Sequence, residues 1–106
     1  MCAKAINEMS YRVWDSGTVR EGSARDILEQ IRTALAGDNE EISKMDVTSY
    51  ARALIEDAPY FVDQELLKAL RREQYPTDWD RALHYLASMP SSRVRILSWQ
   101  GQRRNA

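Results

Sequence analysis

His84 is the one histidine of the chain, and Asp80 stands four residues before it. On a helix that spacing places both side chains on one face, where a carboxylate can orient an imidazole for general acid–base work. No serine, cysteine or second base stands at a recognisable motif spacing, so the pair has no nucleophile to activate. A histidine so placed is ordinarily a surface or half-buried helix residue. Cys2 is the only thiol, and it sits in an end segment with no shaped pocket to lower its pKa. One thiol excludes an internal disulfide and a cysteine-based zinc site, and suits a reducing compartment.

Asp38-Asn39-Glu40-Glu41 is acidic but lacks the alternating oxygen ligands and central glycine of a calcium loop, because Ile42 and Lys44 fall at the wrong places. It reads as a solvated connection. The four glycines are spread singly, so no phosphate-cradling loop is present. These features point to a chain without a catalytic site, cofactor or metal.

Two groups of residues suit binding. Lys68, Arg71 and Arg72 share one face of a helix, with Arg81 nearby, and could meet nucleic acid. A helix-turn-helix needs a short turn, whereas Ala58-Pro59-Tyr60-Phe61-Val62 is long and apolar, and the overall charge lacks the usual basic footprint. A solvated helix face is the plainer reading. The second group is Arg12, Trp14, Arg20, Arg93, Arg95 and Trp99. Two tryptophans framed by four arginines have the composition of a protein interface hot spot and resemble a stacking platform for bases. A covering end segment or a second copy of the chain would account for the same residues, as would Trp14 and Trp99 sitting at strand ends in the core rim. Guanidinium groups suit forked contacts to carboxylates, so an acidic protein partner is the leading expectation, with nucleic acid the alternative.

Charge distribution supports that choice. The net charge is −1, but residues 1–65 carry 7 basic and 13 acidic side chains, while residues 66–106 carry 8 basic and 3 acidic. Arginine outnumbers lysine twelve to three, a bias that a GC-rich genome would also produce. The chain has 106 residues with 43% hydrophobic and 29% charged content. That describes one soluble globular domain rather than a disordered segment. No apolar run reaches signal-peptide or membrane-span length, and a cytoplasmic protein is expected.

The elements that must position these groups follow from local pattern. Tyr11-Arg12-Val13-Trp14 and Thr18-Val19-Arg20 are strand formers around Asp15-Ser16-Gly17. A three-residue loop ending on glycine would pair Trp14 with Thr18 and Val13 with Val19. It keeps both valines and Tyr11 on one face, with Arg12, Trp14, Thr18 and Arg20 on the other, and is the expected register. A two-residue loop over Ser16-Gly17 would instead set Trp14 opposite Val19 and Val13 opposite Arg20.

Ser23 with Asp26 makes a capping-box pattern that opens a helix with Ile27, Leu28, Ile31 and Leu35 on one stripe. Gly37 stops it. One helical turn near Lys44 follows. Asp46 caps a helix whose inner face is Val47, Tyr50, Ala51, Leu54, Ile55 and Ala58, with Pro59 ending it. Asp63 caps the next, with Val62 stapled to Leu67, and with Leu66, Leu67 and Leu70 inward. Thr77 with Asp80 opens the last helix, with Trp79, Ala82, Leu83 and Leu86 inward. Arg93–Trp99 reads as a strand with Val94 and Ile96 on one face and Arg93, Arg95, Leu97 and Trp99 on the other.

The order β-β-α-(short α)-α-α-α-β, with a hairpin too small to stand alone, predicts an α+β fold. Its three-stranded antiparallel sheet, made of the N-terminal hairpin and the C-terminal strand, is packed on one side by about four helices. Residues 1–9 and 101–106 are expected to be loose ends.

Tyr11-Arg12-Val13-Trp14-Asp15-Ser16-Gly17-Thr18-Val19 followed by Glu21-Gly22-Ser23-Ala24 resembles the opening of short accessory proteins of phages and prophages. In those a strand, a glycine turn, a second strand and a Glu-Gly-small-small helix start recur. The likeness covers about a quarter of the chain and brings no catalytic residues with it. It implies a small non-enzymatic protein of a mobile element, including one that inhibits a host defence complex.

Overall fold

The computed structural model describes residues 9–101. Of the expected loose ends only Met9 and Gly101 lie within this range, and they pair with each other in the sheet. Residues 1–8 and 102–106 lie outside the described residues.

The chain forms β1 (Met9–Asp15), β2 (Thr18–Ser23), α1 (Ala24–Ala36), α2 (Glu40–Ser43), α3 (Val47–Phe61), α4 (Gln64–Arg72), α5 (Asp78–Ser88) and β3 (Val94–Gly101). The fold is α+β, with an antiparallel sheet in the order β2-β1-β3. Each expected cap is made. The Ser23 hydroxyl accepts from the Asp26 amide, Asp46 from Ser49, Asp63 from Glu65 and Leu66, and Thr77 from Asp80. These bonds satisfy amides that have no partner inside a helix. The one-turn α2 starts at an Asn39 cap.

The main core lies between the sheet and helices α1, α3 and α5. Tyr11, Val13 and Val94 from the strands meet Ile27, Leu28, Ile31, Leu54, Leu83 and Leu86. A second cluster of Ala58, Val62, Leu67, Leu70 and Tyr85 joins the end of α3 to α4 and α5. Ile55 is only partly buried and packs against both.

Four expectations need correction. The hairpin uses the two-residue loop, since Ser16 and Gly17 both take positive φ, 50° and 97°, as a type I′ turn requires. Trp14 therefore faces Val19, and Val13 faces Arg20. A one-residue slip exchanges the faces of a whole strand, so Arg20 joins the helix side and Val19 the open side. Burial of Asp15 decides between the registers, because only this one delivers Arg20 to it.

Second, Pro59 lies inside α3 rather than ending it. Its ring is exposed, and the bond it removes falls in the last turn. There the Val62 amide still reaches the Ala58 carbonyl at 2.9 Å, with both residues buried. Third, Leu66 is 41% exposed. On a helix it is turned about 100° from Leu67, and the short α4 buries only Leu67 and Leu70.

Fourth, β3 shifts register against β1. Val13 pairs with Ile96, but Arg12 pairs with Ser98, which leaves Leu97 as an extra residue. Such a bulge resets the alternation of side chains. Trp99, paired with Tyr11, therefore sits on the helix side of the sheet instead of beside Trp14.

Candidate functional site

The six residues expected to share one surface fall into three places. Arg20 and Arg93 converge on Asp15. Arg20 Nε donates to Asp15 Oδ2 at 2.8 Å, and Arg93 Nε donates to Oδ1 at 2.6 Å. The Asp15 side chain is fully buried, while those of Arg20 and Arg93 are 21% and 34% exposed. Arg20 Nη1 also donates to Gln30 Oε1 at 3.1 Å. These two arginines tie the three strands together at the turn end of the sheet, so their guanidinium groups are already engaged.

Arg12, Trp14 and Arg95 remain on the open face, where side chains form rows across the three strands. Val19, Trp14 and Arg95 make one row, and Glu21, Arg12 and Ser98 the next. The Arg95 guanidinium lies 5.7 Å from the Trp14 ring centre, within cation–π range. Trp14 is 36% exposed, Val19 45% and Leu97 51%. Arg12 meets Glu21 at 3.4 Å, with both side chains more than half exposed. Arg95 has no ion pair among the described residues.

Trp99 completes a different site. Its ring lies 4.9 Å from His84, edge to face, while Tyr75 lies 4.7 Å from His84 on a tilted plane. Tyr11 approaches the same imidazole at 5.6 Å, and its hydroxyl lies 3.1 Å from His84 Nε2. Between α4, α5 and β3 the Tyr75, His84 and Trp99 rings border a groove of about 270 Å³, lined also by Met9, Ala69, Leu70, Glu73 and Gln74. Burial pushes His84 down to about 4, so the ring is neutral at physiological pH. Burial, with the nearby Glu73 charge, pushes Tyr75 up to about 12.

Asp80 and His84 do not bond directly. The Tyr11 hydroxyl lies between their reaches: burial and then the Asp80 charge raise the Tyr11 pKa, and burial raises that of Asp80. Asp80 Oδ2 accepts from the Thr77 hydroxyl at 2.6 Å, while Oδ1 has no hydrogen bond. The arrangement holds an imidazole among aromatic rings, and no Ser, Cys or Lys lines the groove among the described residues. No group of three or more His, Cys, Asp or Glu side chains comes together there or elsewhere among them.

The basic face of α4 is solvated. Lys68 lies 3.8 Å from Glu65, and Arg71 and Arg72 occupy the last turn, where positive charge complements the helix dipole.

Sequence reasoning missed several contributors. Local pattern puts Val19 on the core side, and it does not connect Tyr11 and Tyr75 to His84 across the fold. Tyr60 and Phe61, 82% and 57% exposed, make the end of α3 an apolar corner. The signal for that corner was the apolar run after Pro59. The others depend on strand register, which local pattern left open.

No described helix is long and apolar enough to cross a membrane. Comparison with protein-family models, curated proteins and solved structures finds no match.

Proposed function

We propose that this chain is a non-enzymatic binding module whose open sheet face docks a protein partner with an acidic surface. One observation carries the reading: the row Val19–Trp14–Arg95 crosses all three strands on the face that no described helix covers. An indole on the central strand, flanked by apolar and cationic groups and bordered by Ser98 and Gln100, has the layout of an interface core with a polar rim. Charge selects the partner. Arg95 has no ion pair among the described residues, and the exposed Arg12–Glu21 pair exchanges easily for an intermolecular carboxylate. The likeness to phage accessory proteins fits this mode, in which a small protein acts by occupying a surface of a host complex.

The test places a photo-reactive amino acid at Thr18 or Ser98 on the open face, with Phe61 on the α3–α4 corner as a comparison. Irradiation in the producing cell should give one protein adduct from the open face. The purified adduct partner should bind Trp14→Ala at least ~30-fold more weakly, as loss of a central hot spot of about 2 kcal/mol implies. Binding should also weaken with salt. An adduct from Phe61 alone, a nucleic-acid adduct, a cross-link to a second copy, or full affinity of folded Trp14→Ala would each overturn the reading.

A further inference from the structure

The groove beside His84 lies on the helix side of the sheet, so the docking reading does not use it. Its walls are Tyr75 and Trp99, each within 5 Å of the His84 ring, with Leu70, Ala69 and Met9 completing an apolar lining. Trp99 keeps half of its surface open to solvent, although a bulge has turned it toward the helices. Glu73 is the one charged side chain among the described residues that line this groove.

Aromatic faces carry negative potential, and a cation within about 6 Å of a ring centre is attracted to them. A carboxylate at the rim adds to that attraction. The neutral imidazole adds no opposing charge. The protein's own Arg81 already uses the cluster, lying 5.3 Å from Tyr75 and 5.9 Å from Tyr85. Its charge opposes a ligand cation, which leaves Glu73 to supply the compensation. Primary ammonium groups need hydrogen-bond acceptors when desolvated, whereas most of this lining is aromatic or apolar. A quaternary ammonium has no N–H to satisfy.

We propose that the groove bounded by Tyr75, His84 and Trp99, with Glu73 at its rim, binds a quaternary ammonium group such as the head of a trimethylated lysine side chain.

The test titrates the intact protein with choline, with trimethyl-lysine amide and with dimethylbutanol, the neutral carbon isostere of choline. Binding is followed by NMR shifts of the His84 ring and Trp99 indole signals. Both cations should bind saturably, and the isostere at least ~10-fold more weakly, in line with a cation–π gain of one to two kcal/mol. Trp99→Ala changes a half-exposed ring and should weaken choline binding by ~10-fold or more, with Trp99→Phe recovering part of it. Glu73→Gln should weaken it by about threefold. Equal binding of choline and dimethylbutanol would make the groove merely apolar and overturn the proposal. So would no response to either cation, or undiminished binding by both Trp99→Ala and Tyr75→Leu.

Discussion

Arg93 Nε meets Asp15 Oδ1 at 2.6 Å across 78 positions of sequence, joining the end of the first strand to the start of the last. The same junction carries a backbone bond from the Ser16 amide to the Arg93 carbonyl at 3.1 Å. Asp15 thus closes the sheet at its turn end through both of its oxygens, since Arg20 holds the other.

Removing that carboxylate leaves two part-buried cations without a partner. Asp15→Ala should lower unfolding free energy by about 3 kcal/mol, the scale for breaking a buried ion pair, as measured by urea denaturation. A loss below about 1 kcal/mol would mean that both arginines relax into water at little cost.

The turn makes an opposite pair of expectations. Ser16 carries a side chain at φ 50°, where asparagine is better tolerated. Ser16→Asn should stabilise by a few tenths of a kcal/mol, and Gly17→Ala should destabilise by about 1 kcal/mol. Under a three-residue loop Ser16 would be right-handed, and asparagine there would bring no gain. Thermal unfolding of Ser16→Asn distinguishes the registers, whereas Gly17→Ala is strained under both.

Neighbouring leucines on α4 should behave differently. Leu67 is 1% exposed and Leu66 41%. Leu67→Ala should cost on the order of 2–5 kcal/mol, and Leu66→Ala less than about 0.5 kcal/mol. Similar losses at both positions would show that α4 is rotated in solution.

His84 gives the protein an acid-sensitive term. Its folded pKa is about 4 against an ordinary 6.5, so protonation favours the unfolded chain. The stabilisation is complete above about pH 6.5 and is lost as pH falls toward 4. Discounted for partial exposure, it amounts to roughly 1–2 kcal/mol. Asp80 works in the opposite sense, because its raised pKa relieves a penalty on acidification. The useful measurement is therefore the difference between the parent and His84→Gln in urea denaturation from pH 4 to 8. The parent curve should be the steeper between pH 4.5 and 6.5. Coincident slopes would show that the imidazole is freely hydrated.

The helices and their order were legible because each start carries its own oxygen ligand for the exposed amides: Ser23, Asp46, Asp63 and Thr77. The inner faces of α1, α3 and α5 followed from helical period. What local pattern could not settle was the side on which each strand residue lies. The hairpin register depended on Asp15 being drawn inward by Arg20 and Arg93, and the second of these is remote in sequence. The side of Trp99 depended on the unpaired Leu97. The hairpin slip moves Arg20 and the bulge moves Trp99, while Asp15 draws in Arg93 from just before β3, so the expected six-residue patch divided while the fold class held. Pro59 stays inside α3 for a related reason: its local cost is real, but buried Ala58 and Val62 on either side hold the turn.

The strand order β2-β1-β3 also has a consequence for biosynthesis. β1 is central, yet one neighbour follows it immediately and the other is formed by residues 94–101. On the ribosome, which adds roughly 5–20 residues per second, β1 waits several seconds with one row of amides and carbonyls bonded only to water. During that interval two nascent chains on one message can pair through the vacant edge. Fast codons between the hairpin and β3 would shorten the exposure. Stalled products ending before Arg93 should accumulate as aggregates or chaperone clients, while full-length chains do not.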